Sequence, residues 1–470
     1  MLRLAFYWAG ITSCWQKLCD WIYKHRITIV VYFSMCLDQI LMTSIVPIIP
    51  NHLFNQETKD NITFQLTNVS AKDDVGNDTY EGIEEENGKV GWLLSSKAIV
   101  QFAASLVVGP LTNRVGYSIP LFTSTVILFI CSCLYSLGEQ YWVLFLGRSL
   151  HGLGSAFLTI GGFGIIADTY QQDAVRSKYM GVVLGGLALG VIVGYPFGSV
   201  IYNYLGKTTV YAIQAIGLAF LAIGQFVSLE MTLNYTKMQQ KTSFLVLLKD
   251  PYIMIIIGSI FLPAVCIAML EATLTVWVMD KMSPEKWLLG VLFLSDGCGY
   301  FIGSHFAVLA LKVGRWVVAI CGLLLCSIGL IFIPMATTIP MIFAPHFAVG
   351  MGSGVVDAAL MPMLALLLDT RYFMMYGSVY TIAELAFNAG YAIGPSVGGQ
   401  LVNQIGFSWL LRGLAIFILL YLPLIYFLRD PPGKEPESTF LTDKEEGGKY
   451  NANEEVSPNP FNYGKLLEDD

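Results

Sequence analysis

Charged side chains lie inside several apolar stretches of this sequence. One is Asp38, in the middle of the run MCLDQILMTSIVPIIP. Six more have similar surroundings: Lys97, Arg148, Glu271, Asp296, Asp357 and Glu384. A charge at membrane depth costs about 2.5–3.5 kcal/mol on insertion scales unless it is paired or faces water. So many interior charges indicate a lipid-embedded protein that handles ions or charged solutes. The alternative is that these charges merely neutralise one another.

These groups could bind a cation and exchange protons. A protonated amine needs a carboxylate and aromatic faces, whose cation–π contact adds about 0.5–2 kcal/mol. Asp38 is the candidate carboxylate. The aromatic residues that could accompany it are Trp277, Tyr300, Phe387 and Tyr391. Proton coupling needs carboxylates whose affinity for protons changes with their surroundings. Glu271, Asp357 and Glu384 are the candidates for that role.

The composition indicates a polytopic membrane protein. Of the 470 residues, 55% are hydrophobic and only 13% are charged, whereas about a quarter are charged in soluble domains. Since a helical span needs about 20 mostly apolar residues, we predict twelve spans. They lie near residues 27–50, 89–111, 117–137, 141–168, 178–204, 207–230, 251–280, 288–311, 315–337, 339–369, 376–404 and 405–428.

Basic residues predict the orientation of the spans. Alternate short loops carry Arg114, Arg176, Lys178, Lys237, Lys241, Lys249, Lys312, Arg315 and Arg371. By the positive-inside rule, these loops and both termini are cytoplasmic. The long loop 51–88 then faces the lumen, and its three acceptor sequons predict glycosylation at Asn61, Asn68 and Asn77.

We predict five regions along the chain. Residues 1–26 form a cytoplasmic segment that is either an interfacial helix or a frayed tail. Residues 27–230 and 251–428 form two six-helix halves, joined by a cytoplasmic connection at 231–250. Residues 429–470 are polar and acidic, and this composition predicts a disordered cytoplasmic tail.

The two halves repeat each other with a period of about two hundred residues. Gly190, Gly194, Gly198 and Gly206 answer to Gly390, Gly394, Gly398 and Gly406. Likewise, the segment Gly152-Leu-Gly154-Ser155 answers Gly350-Met-Gly352-Ser353, and Val115-Gly116 answers Val313-Gly314. Glycines at four-residue spacing let a neighbouring helix approach closely. Two halves related in this way predict a solute site near the membrane midplane, between them.

Three motifs resemble signatures of the major facilitator superfamily. The segment Gly109-Pro-Leu-Thr-Asn-Arg114-Val-Gly116 resembles its loop signature, with Asn113 where aspartate is usual. Residues 148–154 and 190–198 resemble the fourth-span and fifth-span signatures of its proton antiporters. The fold class that we predict is therefore an all-α membrane protein, with twelve transmembrane helices in two pseudo-symmetric halves.

Longer stretches resemble the vesicular amine transporters, and the monoamine branch fits best. They include LDQILMTSIVPIIP, SSKAIVQF, GGLALGVIVGYPFGSVIY, IAMLEATLTVW and GYAIGPSVGG. The resemblance implies that Asp38 anchors the amine beside Gln39, which replaces the asparagine typical of the family. Leu187 and Val191 would form an apolar wall.

The resemblance also matches Glu271 and Asp357 to carboxylates of the family, while Glu384 takes the place of its eleventh-span aspartate. The substrate-binding residues that we predict are Asp38, Gln39, Leu187, Val191, Glu271, Trp277, Tyr300, Phe387 and Tyr391. Proton coupling is assigned to Asp357, Glu384 and Glu271. A charge network or gate is assigned to Lys97, Arg148 and Glu384, with a contact between Lys97 and Glu384 that joins the halves.

Several positions depart from the monoamine pattern. His151 stands where glutamine is usual, and Ala264 and His346 stand where asparagines are. Asp296 is an additional carboxylate. The histidines could titrate near neutral pH, or they could be hydrogen-bonded core residues. These departures bear on the spectrum of amines.

The sequence predicts a secondary active transporter and not an enzyme, because it has no nucleophile motif, metal cluster or phosphate loop. We expect a proton-coupled antiporter that loads cationic monoamines of the serotonin, dopamine and histamine class into acidic secretory or synaptic vesicles. It needs no cofactor and is driven by a transmembrane proton gradient. The alternatives are a related antiporter for acetylcholine, polyamines or xenobiotic cations, and an amine sensor that does not transport.

The expected partners are a small cationic amine, protons and the lipid membrane. Nucleic acid is not expected, since the net charge is −7 and the acidic residues concentrate in one loop and in the tail. Residues 437–441 and 465–468 resemble acidic dileucine signals for sorting adaptors, although a solvated tail is the alternative. We predict a monomer.

Overall fold

The computed structural model describes residues 20–45, 48, 78–229, 244–282, 286–372 and 376–430. The regular secondary structure of these residues is helical. In chain order the helices are α1 (Asp20–Ile45), α2 (Asp78–Val115), α3 (Ser118–Leu137), α4 (Tyr141–Thr169), α5 (Asp173–Ser228), α6 (Phe244–Leu247), α7 (Pro251–Met282), α8 (Lys286–Ser304), α9 (Ala307–Val313), α10 (Arg315–Phe332), α11 (Ile339–Arg371), α12 (Tyr376–Ile405) and α13 (Phe407–Ile425).

Twelve membrane-spanning segments follow from these helices. In the described residues, nine helices are long and apolar enough to cross a membrane, and the bent pair α8 and α9 adds a tenth span. α5 consists of two spans, because Gly206 breaks its helical geometry. α12 is the remaining span. It is less apolar than the others because it carries Glu384 and Asn388, which face other helices.

Four glycines with positive φ mark corresponding corners of the two halves. They are Gly116 (φ 88°), Gly206 (φ 81°), Gly314 (φ 110°) and Gly406 (φ 82°). Each stands between two successive spans, where the chain must reverse direction in a left-handed conformation that side chains disfavour. Gly116 and Gly314 are partners in the repeat, as are Gly206 and Gly406. The repeated glycines are therefore structural corners.

The glycine rows of the repeat give each half the same close helix pair. A methyl group on Gly190 would overlap the carbonyl of Cys36, so that α5 lies directly against α1. In the second half, a Cβ at Gly390 would lie 2.9 Å from the backbone nitrogen of Val265, so that α12 lies against α7. Small residues at these crossings let the backbones approach. This packing fixes the position of Asp38, which lies on α1.

The second set of repeated glycines packs α4 and α11. Gly152 lies against the backbone of α2 at Lys97, and its repeat partner Gly350 lies against α8 at Asp296. In each half, the backbone of the charged residue on the neighbouring helix lies against a glycine. The repeat therefore places Lys97 and Asp296 at corresponding points of the two halves.

The halves meet mainly where α2 packs on α12 and α5 packs on α8. At one end of the bundle, which we name the basic end after Arg176 and Arg315, buried ion pairs join them. Arg176 on α5 reaches Asp369 on α11 at 2.6 Å, and Arg315 on α10 reaches Asp173 on α5 at 2.7 Å. The basic end is therefore closed.

The structure differs from the sequence prediction at a few boundaries. α2 begins at Asp78, inside the predicted loop 51–88, because the glutamate-rich segment before the span favours helix and extends it. The predicted connection 231–250 contains the short helix α6. The predicted glycosylation sites Asn61, Asn68 and Asn77, most of the N-terminal segment and the sorting motifs lie outside the described residues.

Candidate functional site

Asp38 is buried and attached to α4 by two hydrogen bonds. Its side chain is 1% exposed. Ser155 Oγ donates to Oδ1 at 2.6 Å, and His151 Nε2 lies 3.1 Å from the same oxygen. Among the described residues, the other oxygen, Oδ2, has only a 3.4 Å contact with the amide of Gln39. One oxygen of Asp38 is thus fully occupied, while the other is left with a weak partner.

The sequence of α4 accounts for this geometry. His151 and Ser155 are four residues apart, so they lie one above the other on one face of the helix. Between them, Gly152 brings α4 against the backbone of α2, and Gly154 brings it against Leu128 of α3. A helix held so closely on both sides keeps its polar face at a fixed distance from α1. The motif that resembles an antiporter signature therefore positions the partners of Asp38.

A buried hydrogen-bond chain crosses from the first half to the second. Lys97 Nζ donates to Gln101 Oε1 at 3.0 Å, and Gln101 Nε2 donates to Glu384 Oε1 at 2.5 Å. Asn388 Nδ2 donates to the same carboxylate oxygen at 2.9 Å. Lys97 and Glu384 are thus bridged by an amide. Their predicted connection is present in this indirect form, because Gln101 lies one helical turn beyond Lys97 and occupies the space between them.

Lys97 also links the two candidate centres electrostatically. Its ammonium group interacts favourably with Asp38 in the first half and with Glu384 in the second. Its side chain is almost fully buried, and charges interact more strongly in a low dielectric than in water. A cation that binds at Asp38 therefore changes the electrostatic interaction between Lys97 and Glu384.

The second half holds a carboxylate and tyrosine cluster. Tyr300 donates a 2.6 Å hydrogen bond to Asp357 Oδ2. Glu271 and Asp296 interact with each other and with Tyr391. Asp296 Oδ1 is buried and has no hydrogen-bond partner among the residues that the structure describes. The structure therefore brings together the predicted carboxylates Glu271 and Asp357 and adds Asp296 to them.

Two predicted aromatic residues belong to this cluster. The rings of Phe387 and Tyr391, one turn apart on α12, lie 4.9 Å from each other. Tyr391 also lies near Tyr300. Aromatic faces beside carboxylates form surroundings that suit an organic ammonium ion.

Trp277 lies in a different place. Its ring stacks on Phe407 at 4.7 Å, at the corner where α13 begins. Six residues of helix separate it from Glu271, which turns the two side chains to different faces of α7. The apolar residues Leu187 and Val191 are half-buried on α5, and Val191 lies next to Gly297 of α8. They line the seam between the halves.

Arg148 is buried at the seam without a full set of partners. It is 4% exposed, and its Nε and Nη1 atoms have no hydrogen-bond partner within the described ranges of the chain. Its charge acts on His151 in its own half and on Glu271 in the other. A guanidinium has five donors in a rigid fork and suits a carboxylate. The predicted role in a charge network between the halves is compatible with this position.

Sequence reasoning did not assign Ser155, Gln101 and Asn388 to the site, and it left the role of His151 open. A signal for all four exists in the sequence. Each lies four residues from another polar side chain inside an apolar span: His151 from Ser155, Lys97 from Gln101, and Glu384 from Asn388. This spacing puts both members of a pair on one helix face, and a polar pair within a span must find partners.

The arrangement can bind a cation and redistribute protons. Asp38 offers a negative charge in the first half, and Glu271, Asp296 and Asp357 offer three carboxyl groups in the second. The bridge through Gln101 connects the two centres across the seam. A relative movement of the halves would alter the surroundings of each carboxyl group and hence its preference for a proton or a cation.

Comparison with known proteins agrees with this architecture. The family profile described as Major Facilitator Superfamily matches residues 28–380 and 286–450. A crystal structure of a human organic anion transporter superposes with a TM-score of 0.70, and the match covers 86% of this chain and 99% of the other. Their sequences are only 16% identical, so this likeness concerns the fold alone. The predicted fold class is confirmed.

The sequence relatives are more specific. The synaptic vesicular amine transporter of Homo sapiens is 37% identical, over 91% of this chain and 93% of its own length. The chromaffin granule amine transporter of Rattus norvegicus is also 37% identical, over 90% of this chain and 91% of its own. The vesicular acetylcholine transporter of Tetronarce californica is 32% identical, over 90% and 85% respectively. The chain therefore belongs to the major facilitator superfamily and, within it, to the family of the vesicular amine transporters.

Proposed function

We propose that this protein is a proton-coupled antiporter that loads cationic monoamines into acidic vesicles by alternating access. The observation that carries the proposal is the state of Asp38. It is a buried carboxylate inside the first half, with Oδ1 fixed by α4 and Oδ2 weakly occupied, and Lys97 connects it electrostatically to Glu384 of the second half. A carboxylate kept in this form at membrane depth is suited to a cationic solute.

The relatives support an amine of the monoamine class. Proteins named as synaptic vesicular amine transporters reach 38% identity and those named as chromaffin granule amine transporters reach 37%, whereas the acetylcholine transporters reach 32%. The aromatic residues Phe387, Tyr391 and Tyr300 lie with carboxylates in the second half. A protonated aryl-alkyl amine could place its ammonium group at a carboxylate and its ring on these faces.

Proton coupling is assigned to the second half. In the proposed cycle, the amine reaches Asp38 and Glu271 from the cytoplasm, and the halves then rock. Protons from the acidic lumen next occupy Asp357 and Glu384, and the amine leaves. Because the protons bind from the lumen as the amine leaves into it, the two fluxes run in opposite directions. Lys97, Arg148 and Glu384 form the charge network that changes partners between the two states.

The other proposed properties follow from this cycle and from the sequence. Both termini are cytoplasmic, and the protein resides in the membrane of synaptic or secretory vesicles. It acts as a monomer without a cofactor. Asn61, Asn68 and Asn77 are glycosylated in the lumen, and the C-terminal tail binds sorting adaptors.

Uptake into acidified vesicles tests the proposal. Vesicles that carry the full chain would be given labelled serotonin, dopamine, acetylcholine or spermine, with and without a protonophore. We expect accumulation of at least one monoamine that stops when the proton gradient is dissipated. Uptake of acetylcholine or spermine alone would favour another antiporter. Binding without accumulation would indicate an amine sensor, and protonophore-resistant accumulation would reject proton coupling.

A further inference from the structure

The imidazole of His151 is completely buried and hydrogen-bonded at only one nitrogen. Nε2 lies 3.1 Å from Asp38 Oδ1, whereas Nδ1 is buried and has no hydrogen-bond partner in the part of the chain that the structure describes. Because a carboxylate can only accept, the neutral ring must carry its hydrogen on Nε2 and a lone pair on Nδ1. A second proton would therefore bind at Nδ1, and the hydrogen bond to Asp38 would persist and become an ion pair.

A proton on His151 Nδ1 would affect amine binding, because the two oxygens of Asp38 have different partners. His151 and Ser155 both bind Oδ1, which leaves Oδ2 as the oxygen for an ammonium group. A positive ring at Oδ1 would neutralise the carboxylate from one side. An ammonium group at Oδ2 would then lose most of its electrostatic attraction. The two cations thus approach one carboxylate from opposite sides.

The charged groups around His151 determine when its ring can hold a second proton. Asp38 faces it from α1, Lys97 from α2, and Arg148 from one turn earlier on α4. From α3, the Cys131 thiol interacts with Asp38, and the phenol of Tyr135 interacts with Arg148. Lys97 and Arg148 repel a positive ring, so Asp38 is the group that compensates it. The ring can hold a second proton only while Asp38 is not neutralised by an amine.

We propose that His151 is a proton-binding positioning residue that competes with the amine for Asp38. With a neutral ring, Asp38 is free to attract an amine from the cytoplasm. When the site opens to an acidic lumen, a proton binds Nδ1, the imidazolium pairs with Asp38, and the amine is released. His151 therefore adds a proton-sensitive step in the first half, separate from the carboxylates of the second. This inference rests on the proposed function and deepens it.

The test compares amine affinity at two pH values. The purified full-length protein in nanodiscs would be titrated with labelled dopamine at pH 7.5 and pH 5.5. If one proton competes with the amine, the apparent Kd rises by up to about tenfold per pH unit over the range in which the ring binds that proton, so we expect the wild-type Kd to be several-fold higher at pH 5.5 than at pH 7.5. His151→Gln retains a donor for Oδ1 but binds no second proton. We expect its ratio of Kd values to be several-fold smaller than that of the wild type. His305→Gln alters an exposed histidine and should retain the wild-type ratio.

An equal ratio in His151→Gln and wild type would overturn the proposal. A second variant covers the case in which His151→Gln does not fold. Ser155→Ala removes the other donor to Oδ1, so the imidazolium should pair more strongly and the pH of half-maximal binding should rise. If the pH of half-maximal binding does not change in Ser155→Ala, the competition between His151 and the amine is likewise rejected. If the wild type binds none of the monoamines at either pH, the proposed function itself fails.

Discussion

Arg176 on α5 donates a 2.6 Å hydrogen bond to Asp369 on α11 and so joins the two halves at the basic end. The guanidinium is fully buried. Tyr376 donates a hydrogen bond to the other oxygen of Asp369, also at 2.6 Å. This cluster lies at the opening through which the proposed cycle admits the amine. It therefore acts as a closed gate at the basic end in the conformation that the structure describes.

Asp369→Asn should open this gate. The variant removes the carboxylate charge that pairs with the buried Arg176 guanidinium, which among the described residues keeps only a 3.4 Å contact with Asp173, and this loss destabilises the closed state but not the open one. The reporter is a cysteine at Ser378, a buried residue that bonds Asn113 across the seam at 2.8 Å. We expect its alkylation by a polar maleimide in nanodiscs to accelerate at least about tenfold, since tenfold corresponds to only about 1.4 kcal/mol.

The control for this measurement is Arg429→Gln, which removes an exposed pair with Asp430 that does not join the halves. The alkylation rate should stay at its starting value in that variant. If Asp369→Asn also leaves the alkylation rate unchanged, the gate does not depend on the pair of Arg176 and Asp369.

The repeated glycines give a prediction about stability. Gly190→Ala should lower the midpoint of thermal unfolding, because its methyl group would overlap the Cys36 carbonyl and overpacking costs about 1–3 kcal/mol. Gly224→Ala is the matched control, since among the described residues no atom outside its own stretch of helix lies within 4 Å of the added methyl group. It should preserve or raise the midpoint, as alanine favours helix over glycine by up to about 1 kcal/mol. Equal shifts in the two variants would contradict close packing of α1 on α5.

Gln101→Leu tests the bridge between the halves. Leucine fills a similar volume but breaks the hydrogen bonds to Lys97 and Glu384, and bonds to charged groups contribute about 1.5–3 kcal/mol each. We expect proton-driven amine uptake to fall at least about tenfold. Ser105→Ala is the control one turn further along α2, where the hydroxyl bonds only the Gln101 carbonyl. Normal uptake in Gln101→Leu would remove the bridge from the mechanism.

The sequence predicted the architecture well because its signals are local and periodic. Apolar length determines the spans, and the two sets of glycines reveal the repeat whose corners and crossings the structure contains. The predicted family and fold class are confirmed by the relatives and the superposition. These features depend on composition and spacing, which a single sequence records directly.

The partners of the charged residues were harder to predict, because they depend on how helices rotate against each other. Lys97 and Glu384 were expected to meet directly, yet Gln101 stands between them. Trp277 was expected with the amine site, but its ring packs at the corner of α13. His151 could be identified as unusual but not as a partner of Asp38. In each case the choice among several polar or aromatic neighbours is made by tertiary packing.

Asp38→Asn should abolish amine uptake into acidified vesicles. Asparagine preserves the size of the side chain and can still accept hydrogen bonds from Ser155 and His151 at its carbonyl oxygen, but it lacks the charge that attracts an ammonium group. The same variant should bind labelled dopamine at least about tenfold more weakly than the wild type at pH 7.5. Undiminished uptake would reject Asp38 as the anchor.

Asp357→Asn should separate amine binding from accumulation. Tyr300 donates to Asp357 Oδ2 at 2.6 Å, and an asparagine carbonyl can accept this bond, so the cluster should keep its shape. The amide cannot exchange a proton at this position. We therefore expect labelled dopamine to bind within about threefold of the wild-type Kd, a change of less than about 1 kcal/mol, while proton-driven accumulation stops. Exchange of labelled for unlabelled amine across the membrane, measured without a proton gradient, should persist because it does not require net proton movement. Normal accumulation by this variant would show that the protons are carried elsewhere, and loss of both binding and exchange would instead place Asp357 in the amine site.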